Sequence, residues 1–486
     1  MNKKVLFTAL TFLSISALAF GQNSRVSSMG GMTYAIPDRD YSLDLFDFGK
    51  NPAWLINDEK VTFLQIMPSY NSTWGDYRRK YDFDNSDIYG VAFRGVKTLG
   101  SSGTFLGYTN YNYEQRNNVY RTLKHDTYAG EAFYMTDTTT GNFRYNGPTV
   151  GFNYSFELAH DLFAGVSAEY GVMDGLKNIY SGAKATVRNV NGKVGLAYKF
   201  SDDFILGSSV FMHDNQEALE MASIDGTDVE IFNYRGETYA TSLKNTTLDQ
   251  KVRKKGSGFD GQVYLSPAKN LEVAFKGLYD QSGTYEYIPY TGVKEFEEGY
   301  ADFENYCFDF QARYKGIENL QLSVIANYSH NYSWSRNSVR NLLLWEWKLD
   351  GPTVGLGGSY YFRSIGLLVG AEVELSSIKA DSSKYIDLRF EKITSNNSQL
   401  RAGLEYEIMN ETFVRAGYNY GNQQYDFIYG GKDVKINYLS LGCGYKISDM
   451  IGLDLSLQYG NLSPKNYGDR KRDNLNVMAN LRVLSF

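Results

Sequence analysis

Four histidines (His125, His160, His213 and His330) and two cysteines (Cys307 and Cys443) are the only imidazole and thiol groups in 486 residues. No histidine stands at metal-ligand spacing from another histidine or a cysteine, and neither cysteine has a base close by in sequence. These residues therefore point away from an enzyme and from a metal protein, and no cofactor is expected. The chain is richer in charge placed on alternating segments. Where apolar residues of one parity are taken to face lipid, the opposite parity supplies Glu169, Glu272, Lys276, Asp309, Arg313, Glu372, Glu374, Arg401, Glu405, Arg415, Asp454 and Arg482. Both signs are present, so these groups either neutralise one another across an enclosed interior or form a polar path that orients a solute. Pairing is favoured, because an unpaired charge in a narrow low-dielectric space is costly.

Three basic runs stand apart from that set: Arg78-Arg79-Lys80, the group Lys251, Arg253, Lys254 and Lys255, and Arg470-Lys471-Arg472. They are expected at the outer leaflet, where clustered cations meet the phosphates of lipopolysaccharide, unless they are plain solvated loops. The acidic stretch Glu295, Glu297, Glu298, Asp302 and Glu304, interleaved with Phe296, Tyr300 and Phe303, reads as an exposed loop, with a ligand or cation lip as the alternative. Removing Lys3 and Lys4 with an export signal leaves 47 basic against 55 acidic groups, a net charge of −8 that argues against nucleic acid as a partner.

The elements that carry these groups have a period of two. Val150, Phe152, Tyr154 and Phe156 alternate with Gly151, Asn153 and Ser155, and Leu400, Ala402, Leu404 and Tyr406 with Arg401, Gly403 and Glu405. Short polar turns fall near residues 98–102, 157–160, 201–202, 266–270, 315–319, 363–365, 407–411 and 447–450, and the connections between them run from about ten to forty residues. Short turns on one side and long loops on the other are the asymmetry of an outer-membrane barrel, as are the Tyr and Phe at strand ends. The expectation is an all-β fold: a single transmembrane antiparallel β-barrel of about 18 strands, with 14 or 16 left open, that closes because a sheet in hydrocarbon cannot leave an edge unpaired. Cys307 falls on the lumen parity and Cys443 on the lipid parity, so they are not expected to bridge. Phe486 ends the chain out of parity with Leu481 and Val483, which calls for a bulge near Leu484 or a last residue outside the wall.

Residues 1–21 read as a secretory signal peptide, with Lys3 and Lys4, an apolar stretch from Val5 to Phe20, and Ala19 and Gly21 before Gln22. Residues 22–59 lack strand alternation, and residues 60–486 make up the barrel. Within 22–59 lie Met29-Gly30-Gly31 and Asn51-Pro52-Ala53. Pro52 holds Asn51 extended, and Gly30-Gly31 admits backbone geometries closed to other residues. This segment resembles the start of the long-chain fatty-acid transporter family FadL and the related PorV-type proteins of Bacteroidota. The resemblance implies a plug folded into the lumen and containing Met29, Gly30, Gly31, Asn51, Pro52 and Ala53. The expected function is a plugged channel or transporter for a small, apolar or other, solute. The alternative is a non-transporting barrel that serves protein export or surface attachment, and a general porin comes third because a plug blocks free diffusion. Expected partners are outer-membrane lipid, lipopolysaccharide, the barrel assembly machinery, and a solute or an export partner.

Overall fold

The structure is a computed structural model that describes residues 44–55, 62–100, 103–178, 182–221, 230–244, 248–290 and 293–484. The signal peptide, Met29, Gly30, Gly31 and Phe486 lie outside the described residues. A short helix, α1 (Asp44–Gly49), and a 3-10 turn at Pro52–Trp54 precede the strands β1 (Phe63–Gly75), β2 (Asn85–Thr98), β3 (Thr104–Thr122), β4 (Phe133–Ala159), β5 (Leu162–Lys177), β6 (Lys184–Ser201) and β7 (Phe204–Met221). Next come β8 (Glu230–Arg235), β9 (Ala240–Lys244), β10 (Leu248–Ala268), β11 (Leu271–Tyr290), β12 (Val293–Ile317), β13 (Leu320–Asn337) and β14 (Leu342–Phe362). The series ends with β15 (Leu367–Lys384), β16 (Arg389–Met409), β17 (Thr412–Tyr425), β18 (Lys432–Ser448), β19 (Ile451–Ser463) and β20 (Arg472–Leu484).

Eighteen of these strands form one closed antiparallel barrel. Each pairs with its neighbour in sequence, β7 pairs with β10, and β1 closes on β20 from Phe63↔Leu484 to Gly75↔Arg472. The other two, β8 and β9, form a hairpin inside the β7–β10 connection, and that hairpin rests on the start of β4 through Phe133↔Arg235. Closure pairs the whole rim, as hydrocarbon demands. The burial pattern then fixes which side is wet. On β16, Leu400 is 48% exposed while its neighbour Arg401 is 1% exposed. Apolar residues outside and charged ones inside invert a soluble core and match a wall that faces lipid.

The base turns are tight. The connections 160–161, 202–203, 269–270, 318–319, 410–411 and 449–450 have two residues each, and Asp161, Asn319 and Glu411 adopt positive φ there. The opposite end departs from expectation. The long external connections are largely strand, because β4 runs for 27 residues and β12 for 25, well beyond the roughly 9–11 that cross a bilayer. The acidic stretch is part of β12, with Tyr285↔Tyr300 and Tyr287↔Glu297 in register, and Glu298 is buried against Arg235 and Asn233. Toward the outer end the buried face of this hairpin carries polar residues (Ser282, Thr284, Glu286, Glu298) and the outward face is no longer lipid-apolar, so the apolar alternation fades from the sequence while the ladder continues.

Candidate functional site: the barrel lumen and its two ends

At the base, Asn51 adopts extended geometry (φ −85°, ψ 120°) before Pro52, whose missing N–H suits the first position of a helical turn. The Ala53 amide donates to Asn51 Oδ1 at 3.0 Å, which caps that turn. The Asn51 amide then reaches the wall, donating to the carbonyls of Leu196 (3.3 Å) and Ser208 (3.1 Å). Ser155 Oγ donates to the Ala53 carbonyl (3.1 Å), and Gln262 Nε2 donates to the Gly49 carbonyl (2.8 Å). Glycines form the seat: a Cβ at Gly165 would run into the backbone of Pro52 and Ala53, one at Gly195 into the Asn51 side chain, and one at Gly207 into the Trp54 indole. Gly165 and Gly195 are register partners, as are Ala197 and Gly207, so three adjacent strands carry one flat patch. Apolar contacts complete the seat: Trp54 and Ala53 pack with Ala197 and Ile205, and Phe46 and Leu55 with Phe63, Val96 and Leu106. Sequence reading placed Asn51, Pro52 and Ala53 here but missed the glycine cradle and α1, since nothing local shows that distant glycines share a patch.

Each lumen candidate has inward parity. Arg401 donates to Glu374 at 3.0 Å and also contacts Glu372, and Arg415 bridges Glu405 (2.6 Å) and Asp454 (2.7 Å). Glu272 accepts from Arg313 Nε (2.6 Å) and Lys315 (3.1 Å), and Asp309 accepts from Asn327 (2.6 Å) beside the buried Cys307. Glu169 accepts from the Tyr108 hydroxyl (2.7 Å) and from Asn191 (2.8 Å). Lys276 lies opposite Asp309 in register, and Arg482 lines a polar recess of about 260 Å³ with Glu405, Arg415 and Asp454 at the basal end of β16–β20. Cys443 is exposed on the outer face, and both cysteines are free.

The outer end is covered by three connections that fold inward. In 76–84, 123–132 and 426–431, the Arg79 guanidinium stacks 3.8 Å over Tyr128, the Tyr81 amide donates to the Tyr128 hydroxyl (3.1 Å), and the Tyr77 hydroxyl donates to Asp426 (2.8 Å). Arg79 and Arg472 hold the Asp82 carboxyl below the usual range against the opposing effect of burial. Beneath this roof lie buried ion pairs absent from the expected set: Lys124 with Glu131, Arg116 with Glu114, Arg235 with Glu298, and Lys177 with both oxygens of Asp137 at 2.8 Å. On β10 the outward face changes from Leu265, Val263 and Phe259 to Lys255, Arg253 and Lys251, so Lys254 and its neighbour Glu286 lie beyond the apolar belt. Burial lowers the Lys254 ammonium to about 8 and pushes the Glu286 carboxyl up to about 7.

The basic runs need correction on this geometry. Lys80, Lys255, Arg470 and Lys471 are exposed, and Arg78, Lys251 and Arg253 are half-buried in pairs with Asp84, Glu295 and Asp214. Arg79, Lys254 and Arg472 do not face the leaflet. Arg79 joins the roof, Lys254 lies 3.9 Å over the Phe303 ring on the inward parity of β10, and Arg472 is buried over Phe83 and Tyr429. On β10, strand alternation sends Lys254 to the face opposite Arg253 and Lys255, whereas Arg79 and Arg472 are drawn in by the rings of Tyr128, Phe83 and Tyr429. Among the described residues no group of three or more His, Cys, Asp or Glu side chains could hold a metal ion.

Comparison with solved structures places the copper transporter OprC at 9% identity and a TM-score of 0.49, covering 84% of this chain, which spans 62% of that protein's length. The monoaromatic hydrocarbon channel CymD gives 11% and 0.36 over 96% of this chain and 97% of its own, and the Pseudomonas putida toluene transporter TodX gives 12% and 0.33 over 94% and 96%. At these scores the likenesses carry no argument about what this chain does. No curated protein matches. The profile of the outer membrane protein beta-barrel domain matches residues 310–482, so the barrel is an outer-membrane one. A second profile, described as a family of unknown function (DUF6850), matches residues 52–343, more than half of the chain and starting at the plug's Pro52, and the chain therefore belongs to that family.

Proposed function

We propose that this outer-membrane barrel is a gated channel for a small solute, with the segment around Asn51–Trp54 as its basal gate. The observation that carries this reading is the way the segment is held. Four side-chain hydrogen bonds and a glycine cradle attach it to β4–β7 and β10, and no residue of the 51–54 turn is a rung of the wall. A segment seated on the wall can leave while the eighteen strands stay paired, and a barrel of this strand number is wide enough to enclose a channel. The paired charges from Glu272 round to Asp454 then line a polar route. The solute's class is tested by liposome swelling with small sugars, amino acids and aromatic hydrocarbons, using the intact chain and one lacking residues 22–55. Entry of one class, enhanced by the deletion, supports the reading, and exclusion of all of them by both proteins would refute it.

The closed roof and the ion-paired interior favour a second reading, a non-transporting barrel whose projecting strands present a platform to an export or surface-attachment partner. It predicts that a specific protein co-purifies with the intact chain and is lost when the β11–β12 projection is trimmed, with no solute entry in either form.

A further inference from the structure

On the outer face of the wall, across β6, β7, β10 and β11, successive register rows change character in a fixed order. One row contains Leu196, Ser208, Gly261 and Gly277, three of them small, and at this level the wall is hollowed into an apolar recess of about 730 Å³. Nothing lies within 4 Å of the place a Cβ on Gly261 would occupy, so the recess opens outward. Phe259 rims it on one side and Leu206 and Phe275 on the other. Toward the outer end of the same strands the rows turn cationic: Arg188 and Arg253 flank Gln216, and Lys255 stands opposite Asp214. Arg253 is held by Asp214, while Arg188 is exposed and reaches Gln216 (3.2 Å), and Lys255 is exposed. From Lys255 to Gly261 the strand advances six residues, about 20 Å along its own direction. Tilted by about 45°, that is close to the roughly 15 Å depth of one hydrocarbon leaflet.

We infer that this face is a binding site for one phosphorylated acyl lipid of the outer leaflet, with its phosphate between Arg188 and Lys255 and an acyl chain in the recess at Gly261. Charge complementarity selects the head group, because on β6, β7, β10 and β11 the rows at the headgroup level carry Arg188, Arg253 and Lys255 against Asp214, and the next carboxylate along the Lys255 row, Asp302 on β12, already accepts from the Tyr300 hydroxyl. The recess selects the chain, because a void beside the wall gains dispersion contacts only when an apolar chain fills it. The site depends on the membrane placement of the barrel and is independent of whether the lumen conducts.

The test is native mass spectrometry of the full chain in detergent micelles with monophosphoryl lipid A or its phosphate-free counterpart, with heat-modifiable gel mobility confirming a folded barrel. The intact chain retains one lipid A and at least tenfold less of the phosphate-free form. Arg188→Gln combined with Lys255→Gln lowers retention at least tenfold. Gly261→Leu, which fills the recess and leaves every charge in place, does the same. Arg389→Gln with Lys392→Gln, an equal loss of exposed charge elsewhere on the outer end, leaves retention unchanged. The site is refuted if the phosphate-free lipid binds equally, if either site variant keeps its lipid, or if the Arg389/Lys392 control loses as much as the site variants do.

Discussion

Arg401 shows what a single residue does in this wall. It is almost fully buried, it is shared between Glu372 and Glu374, and its charge is tolerable only because those partners stand beside it. Arg401→Met should therefore destabilise the barrel by about 3–5 kcal/mol, because it strands the buried Glu372 carboxylate and the half-buried Glu374, whereas adding Glu372→Leu and Glu374→Leu should recover most of that loss. Guanidinium unfolding in micelles measures both, and equal stability of the single and triple variants would contradict the account. At the plug, Asn51→Ala removes two hydrogen bonds to the wall and the cap on Ala53, with an expected cost of roughly 1–3 kcal/mol to the seat. Amide exchange in residues 44–55 should accelerate at least tenfold while β5–β7 remain protected, and unchanged exchange would mean that Asn51 does not hold the plug. Parity made the inward charges legible in the sequence, since alternation alone puts Arg401 and Glu405 on one face. The seat was not legible, because Gly165, Gly195 and Gly207 have meaning only once the register brings them together.

Among the elements, the roof is the part with a titratable centre. Burial raises the Glu286 carboxyl from its ordinary 4.5 to about 7, with Gln250, Arg235 and Lys124 acting in the opposite direction. Below pH 4.5 the group is protonated whether the roof is closed or open. As pH rises from 4.5 to about 7 the opened form ionises first, so the closed roof loses stability through that window, by about 3 kcal/mol at most, and changes little beyond it. Limited proteolysis of the 123–132 connection, whose Lys124 acts on Glu286, should accordingly quicken between pH 5 and pH 8, and Glu286→Gln should weaken that dependence, leaving the part that the likewise raised Asp426 and Glu217 contribute. A wild-type rate that is flat with pH would contradict this role for Glu286. Strands and base turns were readable from the sequence because lipid on one side and charge on the other impose a period of two, and because two-residue turns leave polar punctuation. The outer extensions were not, since a hairpin such as that of Tyr285↔Tyr300 buries polar Thr284, Glu286 and Glu298 on its inward face and so shows no apolar alternation.

At the scale of the whole molecule, an eighteen-strand wall surrounds an interior that holds a segment seated against its base, and three connections meet at its outer end. The wall was legible from the asymmetry of its connections and the exposed apolar parity. Closure of the outer end was not, because contacts such as Arg79 on Tyr128 join segments that the sequence keeps apart. The proposed gate requires that the seated segment and the wall be separable, and single-channel conductance in planar bilayers, comparing the intact chain with one lacking residues 22–55, measures that separability directly. The predicted result is an intact protein that is closed for most of the recording and a deleted form with long-lived open levels. Equal conductance from both proteins, or a deleted form that stays silent while its barrel is folded, would contradict the account.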